Sequence, residues 1–535
     1  MLSKRLNFKF FNHDLSKSAY RALTLDKFTC LIIGIFMSWM YGPSLALEYL
    51  YHDDYLISQV TLASTCTNHP QYLYYLVDLF RPGALAIKCL LGLSVENIEQ
   101  LPKLKYVGFI LVWVAGFLFF KQIKFLVNSS VLATFCALFL VSLPSFQQTI
   151  LNLANVTHII SWLLSFCTGI FFCNLYAEHE GDRLQIKNKL FIFTLLFCSI
   201  IIYPLSTFSF LIPVLVVVLS GQITRKKLFT AAKSIGFIVV AQGVYLICKN
   251  LVFNHFGYLL QNPTTYEINF DLSQIFNFYF IVAPSWYLGV FSYGPISQFS
   301  SSLWLTCFLF FIVLFLAKPY IGRGQACFAF DRLLKILCAL GALFLSILPI
   351  AATNYQVFSR LFISFEPLLF VIIIYLLRCI CSDYQFICEK LTSTLQFHLN
   401  RSVVKVTFIL SGSIAILFLG FFWQRELLEH LALPNYLEFE KTHNAIAKYY
   451  DGENHIHIIT PTRPSFAKSP DEFYLVTSNF PQDVQFLVKR AFLKHSMKRP
   501  QKLMVTNGPK PSHAVWPPSQ MNVDTSEAFV LDLRK

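Results

Sequence analysis

Charge is scarce in this chain. Asp, Glu, Lys and Arg make up 13% of its 535 residues, against roughly a quarter in ordinary soluble domains, so a string of water-soluble domains is excluded. No G-x-x-x-x-G-K-[ST] string occurs, and Gly322 and Gly324 lack a third glycine because Cys327 stands in its place. An ATPase built on a phosphate loop and a Rossmann-type nucleotide-sugar enzyme therefore have no support. No C-x-x-C pair and no H-E-x-x-H string exists either, which removes the usual signatures of structural zinc and thiol redox chemistry. The 14 cysteines make no disulfide framework: Cys30, Cys136, Cys167, Cys198, Cys307 and Cys338 fall inside apolar runs, none lies beyond Leu391, and Cys66 is the one in a polar stretch of the loop 48–104. They behave as small hydrophobes.

Apolar and aromatic residues fill the space that charge leaves. Hydrophobic residues reach 55%, with 56 Phe and 25 Tyr, and the mean hydropathy is +0.55. Disordered and fibrous classes are excluded, and the expected fold is an α-helical polytopic membrane protein. The net charge of +14 does not point to nucleic acid as a partner. The stretch 424–535 carries 14 Lys and Arg against 12 Asp and Glu, so most of the basic excess lies between apolar segments, where it sets orientation in a membrane.

A span needs about 20 apolar residues. Eleven are expected: Lys27–Leu47, Lys105–Phe120, Phe125–Phe146, Val156–Tyr176, Leu190–Tyr203, Phe208–Leu219, Ala231–Asn250, Leu303–Ala317, Leu334–Ala352, Leu361–Leu377 and Val406–Trp423. Leu190–Leu219 has the alternative of a single hairpin broken at Tyr203-Pro204. The first span follows Lys4, Arg5, Lys9, Lys17 and Arg21 without a small-residue cleavage pattern after it, and reads as an anchor. Alternate loops are basic, at Lys121/Lys124, Arg183/Lys187/Lys189, Arg225/Lys226/Lys227, Lys318/Arg323/Arg332 and Arg378/Lys390/Arg401/Lys405, whereas 147–155, 204–207 and 251–302 hold no Lys or Arg. This asymmetry places the N-terminus in the cytoplasm and the C-terminal tail outside. The expected organisation is a cytoplasmic segment 1–26, a transmembrane domain 27–423 with its first outer loop at 48–104, and an outer α/β tail domain 424–535. In the tail, His455–Ile459, Lys502–Val505 and Ala528–Leu533 alternate as strands and Asp483–His495 reads as a helix. His455 and His457 share a strand face, a satisfied polar face before it is a metal site. The uncharged, Trp- and Tyr-bearing stretch between Asp271 and Lys318 suits an interfacial or re-entrant segment.

The sharpest local feature is Tyr51-His52-Asp53-Asp54-Tyr55, just after the first span. Adjacent carboxylates at a membrane surface can hold a divalent cation such as Mg or Mn, take a proton from a hydroxyl, or simply be solvated. Arg81-Pro82-Gly83 opens an apolar stretch, Ala84–Leu93, too short to span and expected to lie along the membrane surface. Arg360 stands at the outer start of the tenth span, where the charge rule places no cation. An anionic partner, such as a phosphate at headgroup depth, accounts for it, as does an ordinary lipid headgroup. His69, His158, Glu267 and Asp271 share the outer side.

An acidic pair in a long first outer loop, a surface helix after it and an outer tail resemble the GT-C class of glycosyltransferases. Within that class, His52-Asp53-Asp54-Tyr55 and then Arg81-Pro82-Gly83-Ala84 leading through Leu101-Pro102 are similar to the serotype-converting O-antigen glucosyltransferases of Gram-negative bacteria and their phages. The resemblance implies transfer of a sugar, glucose in that family, from a polyprenyl-phosphate donor to a polysaccharide or glycolipid acceptor such as lipopolysaccharide. The reaction would take place on the periplasmic face of the inner membrane, in company with a flippase and an enzyme that makes the donor. It implies Asp53 or Asp54 as the base, Arg360 and Arg81 as phosphate ligands, and His52, Tyr55, His69, His158 and Glu267 as further substrate contacts. A basic residue soon after the acidic pair is expected in the family, and Leu56-Ile57-Ser58-Gln59 stands there instead. A transporter or flippase for lipid-linked sugars is the main alternative; it expects ionisable groups near mid-span, of which Glu366 is the main one. A scaffold whose tail recruits partners leaves the acidic pair and Arg360 unexplained.

Overall fold

The computed structural model describes residues 17–47, 49–50, 54, 74–94, 98–178, 185–257, 273, 275, 326–351, 363–379, 401–449, 455–460, 487–488, 490–492, 503–507, 510–516 and 528–532. These residues are mostly helical. In chain order the helices are α1 Lys17–Ala46, α2 Pro82–Leu93, α3 Lys105–Val127, α4 Ser130–Val141, α5 Pro144–Leu151, α6 Val156–Glu178, α7 Ile186–Ile202, α8 Leu211–Leu219, α9 Arg225–Phe256 and α10 Ala326–Ala351. After these come α11 at 365–379, α12 Arg401–Leu427 and α13 Leu433–Tyr449. Five helical stretches are long and apolar enough to cross a membrane: Asp26–Ala46, Gln100–Val127, Val156–Tyr176, Arg225–Phe256 and Asp331–Pro349. A sixth is formed if Ser130–Val141 and Ser145–Leu151, bent by 59°, are one span. Of the eleven expected spans, Leu303–Ala317 lies outside the described residues, as does nearly all of the Asp271–Lys318 stretch.

The helices begin and end where local chemistry says they should. Ser129 caps α4 by accepting the Leu132 N–H at 3.3 Å, and Thr224 caps α9 by accepting the Lys227 N–H at 3.3 Å. Asn128 stops α3 in the left-handed conformation, φ 52°. Helix α7 does not run into α8 as one rod: Pro204 opens a 3-10 segment, Pro204–Phe210, between them, because proline cannot donate to the ladder of the preceding turn.

That break leaves backbone carbonyls without helical partners deep in the bundle, and hydroxyls from neighbouring helices take them up. Ser161 of α6 donates to Tyr203 O at 3.0 Å and Ser165 to Thr207 O at 2.5 Å. From other directions Ser364 donates to Ser206 O at 3.0 Å and Gln242 to Pro204 O at 3.1 Å. Ser161, Ser165 and Gly169 recur every four residues along one face of α6, the small-residue pattern by which helices approach closely in lipid. At Gly169 a Cβ would meet Phe210 O at 2.5 Å. Around this seam the largest buried side chains, Phe119, Phe146, Trp162, Phe166, Phe172 and Phe210, form one core. On the outside, Val239, Val240 and Ile247 of α9 and Ile414, Leu417 and Phe418 of α12 are exposed. An apolar exterior of this kind belongs to helices that face lipid.

In the tail, β1 His455–Thr460, β2 Leu503–Asn507, β3 Lys510–Trp516 and β4 Ala528–Asp532 form one sheet in the order β3-β2-β1-β4. β1 pairs in parallel with β2 and β4, and β2 antiparallel with β3. Three of these strands overlap stretches whose alternation is strand-like in the sequence, and β3 does not. The parallel β1–β2 pair requires a crossover, and the described residues within it, Leu487, Val488 and Arg490 to Phe492, are helical.

Candidate functional site

Beyond α1, Asp54 is held at one end of the bundle. This carboxylate is fully buried. Its Oδ2 lies 3.1 Å from the Lys105 ammonium at the first position of α3, and its Oδ1 accepts the Leu153 N–H at 2.5 Å. Leu153 belongs to the short 3-10 turn between α5 and α6. Lys105, equally buried, also donates to Tyr49 O at 2.8 Å and sits 3.5 Å from the centre of the Tyr49 ring. Asp54 is thus tied to α3 by the ion pair and to the 3-10 turn by the amide, and Tyr49 to α3 by Lys105.

These contacts bear on the metal expectation. Asp54 presents one oxygen to an ammonium and the other to an amide, and a cation brought to it would face Lys105 at close range. Asp54 does not fit a divalent-metal ligand, and among the described residues no group of three or more His, Cys, Asp or Glu side chains could hold a metal.

A second cluster forms around Arg81 at the same end of the bundle. The residue before it, Phe80, has φ 47°, a strained backbone for an aromatic residue. Arg81 N–H bonds Tyr75 O at 2.7 Å, and Pro82 occupies the first turn of α2. Gly83 allows α2 to press on the end of α7: a Cβ there would meet Ile202 Cγ1 at 2.7 Å and Ile201 backbone at 3.3 Å. The residue that follows α7 is Tyr203, and the Arg81 guanidinium lies over its ring at 4.9 Å. The Arg81-Pro82-Gly83 string therefore has a physical meaning: strain aims the arginine, proline starts the helix, and glycine brings the arginine onto Tyr203. His158, buried in the first turn of α6, packs against the same ring with centroids 3.7 Å apart. The Tyr245 hydroxyl of α9 donates to Leu79 O at 2.8 Å and interacts with Arg81. Helix α2 buries Ala84, Leu85, Lys88, Cys89 and Gly92 against the bundle and leaves Leu90 and Leu93 exposed.

Deeper in the bundle, buried Glu366 accepts from Ser145 Oγ at 2.5 Å and from Ser145 N at 3.4 Å. Helix α5 has no cap of its own, because its N-cap position is Leu143. Glu366 of α11 supplies the missing acceptor from across the bundle, where the helix dipole also favours a carboxylate.

Among the residues singled out from the sequence, the structure brings Arg81 and His158 to one tyrosine and buries Asp54 beside Lys105. His52, Asp53, Tyr55, His69, Glu267 and Arg360 lie outside the described residues. Lys105, Tyr203 and Tyr245 were not foreseen. Lys105 carries the signal that marks Arg360 in the sequence, a cation at the expected outer start of a span. Tyr203 and Tyr245 offer no signal in one sequence, because tyrosines at span ends are ordinary interface residues. Set against protein-family models, curated proteins and solved structures, the chain matches none.

Proposed function

We propose that this chain is a membrane glycosyltransferase of GT-C type. It would move a sugar, glucose by resemblance, from a polyprenyl-phosphate donor to a hydroxyl of a cell-surface polysaccharide such as lipopolysaccharide O-antigen. In this reading it resides in a bacterial inner membrane, with the acidic segment and the α/β tail on the periplasmic face. The observation that carries the reading is the pairing, at one end of an apolar bundle, of an aimed cation with an anchored carboxylate segment: Arg81 over Tyr203, and Asp54 on Lys105 and Leu153.

The chemistry divides between them. Asp54, with both oxygens engaged, orients its segment, and the base is assigned to its neighbour Asp53. Asp53 takes the proton of the acceptor hydroxyl as that oxygen attacks the anomeric carbon. The bond from this carbon to the donor phosphate breaks, and the phosphate leaves with the electron pair. Arg81, joined by Arg360, offsets the charge that grows on the phosphate oxygens. A single displacement inverts the anomeric centre. The polyprenyl tail stays in lipid beside the bundle.

The test is transfer of labelled sugar from polyprenyl-phosphate donors to lipopolysaccharide by the purified protein, comparing wild type with Asp53→Asn and Arg360→Ala. Transfer abolished by either change in a folded protein supports the assignment, and transfer indifferent to both overturns it. A flippase for lipid-linked sugars is the second reading, favoured by Glu366 at the meeting of the α4–α5 bend and the α7–α8 break. Movement of a labelled polyprenyl-phosphate sugar across proteoliposomes, lost in Glu366→Gln, would decide for it.

A further inference from the structure

The tail is tied to the site by its own core. Leu487, Val488, Ala491 and Phe492 of the crossover segment share a buried cluster with Leu50, Leu101, Leu153 and Val156 of the bundle and with Phe439 of α13. Leu153 is the residue whose N–H holds Asp54, and Leu50 lies in the chain between α1 and Asp54. In the middle of this contact stands Arg490, 2% exposed, with its guanidinium 3.9 Å from the centre of the Phe439 ring. Its charge opposes that of the Lys105 ammonium. An arginine is rarely buried to this degree unless its charge has work to do in place. Here a cation from the far end of the chain is held beside the ion pair that anchors the acidic segment.

We infer that Arg490 is a positioning residue: through Phe439 and Lys105 it makes the tail a fixed wall of the outer site and sets where Asp54 lies. The guanidinium, fixed on Phe439, repels the Lys105 ammonium and so favours its place against Asp54, the more so in a buried, weakly screening setting. The tail then contributes to turnover through geometry as well as through any grip on a long acceptor. This rests on the transferase reading for its kinetic consequence, but not for its structural one.

Three full-length variants test it: Arg490→Met, which keeps the buried stem and removes the charge, Arg490→Lys, which keeps the charge, and Phe439→Leu. Hydrogen exchange of the peptide spanning Tyr49–Asp54 is read beside transfer kinetics and thermal unfolding. The expected result is faster exchange of that peptide in Arg490→Met and Phe439→Leu, with kcat lowered by about tenfold or more. Donor KM and the unfolding temperature should stay near wild type, and Arg490→Lys should recover most of kcat. Unchanged exchange in Arg490→Met overturns the inference, as does a loss confined to acceptor KM, which would make the tail a binding module only. If the wild type transfers no sugar, the transferase reading fails, and the exchange result alone decides for or against the role of Arg490.

Discussion

The two ends of the α1–α3 pair handle charge in opposite ways. At one end Asp26 meets Lys121 and, at 2.7 Å, Lys124; the three side chains keep 12–29% of their surface exposed. At the other end, about 24–29 Å away along α3, Asp54 and Lys105 form one pair with side chains 0% and 2% exposed. The lysine-rich end repeats its device. Lys335 donates to Gly221 O at 2.5 Å, Lys227 to Gln222 O at 3.0 Å, and Arg378 to Leu126 O. Cations there serve the bare carbonyls at helix C-termini, where the dipole welcomes them. The Asp54 end places its charges among Tyr49, Tyr203, Phe439 and Leu153, where each is costly to bury and fixed once buried. The first pattern is what any helix end at a membrane surface needs. The second asks for an explanation beyond stability, and the proposed transferase site provides one.

The largest effects expected are at the acidic pair, and they should separate. Asp53→Asn lowers turnover by about 10²–10⁴-fold, the usual contribution of a general base, with the unfolding temperature in detergent unchanged. Asp54→Asn leaves Lys105 buried without its counter-charge and costs about 3–5 kcal/mol of stability. The double change Asp54→Leu with Lys105→Met recovers most of that stability but not the activity. Were Asp54→Asn to unfold at the wild-type temperature, the contrast between the two ends would lose its basis.

Much of this contrast was legible in the sequence, and the limits have physical reasons. Span positions follow from composition, since an apolar run of sufficient length has few other uses. Both breaks could be read from Pro144 and Pro204, although only the second was. The docking of α2 on α7 was not foreseen: its apolar stretch gave no sign that Gly83 would let it pack against the end of that helix. The roles of Asp53 and Asp54 could not be told apart, because what distinguishes Asp54 is an amide at residue 153 and an ammonium at residue 105, contacts far from it in the chain. Arg490 was invisible for the same reason: in sequence it is one of several basic residues in a nearly neutral tail.

Between the two ends, Gly169→Ala tests the broken helix that places Tyr203. A Cβ at 2.5 Å from Phe210 O collides with backbone, which cannot swing aside as a side chain can. The expected cost is about 1–3 kcal/mol, seen as a lower unfolding temperature together with weaker donor binding, because Tyr203 moves with the 3-10 segment. Tyr203 itself should show a smaller and more selective effect. Tyr203→Phe keeps the face under Arg81, whereas Tyr203→Leu removes a cation–π contact worth about 0.5–2 kcal/mol. Donor KM should then rise by roughly two- to thirtyfold in the leucine variant alone. Equal behaviour of the two variants would mean that the ring is not what holds the guanidinium.

The smallest effect is predicted for Asp26, the counterpart of Asp54 at the lysine-rich end. It is matched by two lysines rather than one, so a count of ion pairs would rank it first. Its partners, however, keep more than a quarter of their side-chain surface in contact with solvent or headgroups. Once Asp26 is changed to Asn, Lys121 and Lys124 can turn outward to water and lipid phosphate, a route closed to Lys105. The loss should stay within about 1 kcal/mol and shrink further in high salt, as exposed pairs do. Thermal unfolding of Asp26→Asn and Asp54→Asn at two salt concentrations puts the two ends on one scale. A salt-sensitive Asp26 and a salt-indifferent Asp54 would show that burial, and not the number of partners, decides what each carboxylate is worth.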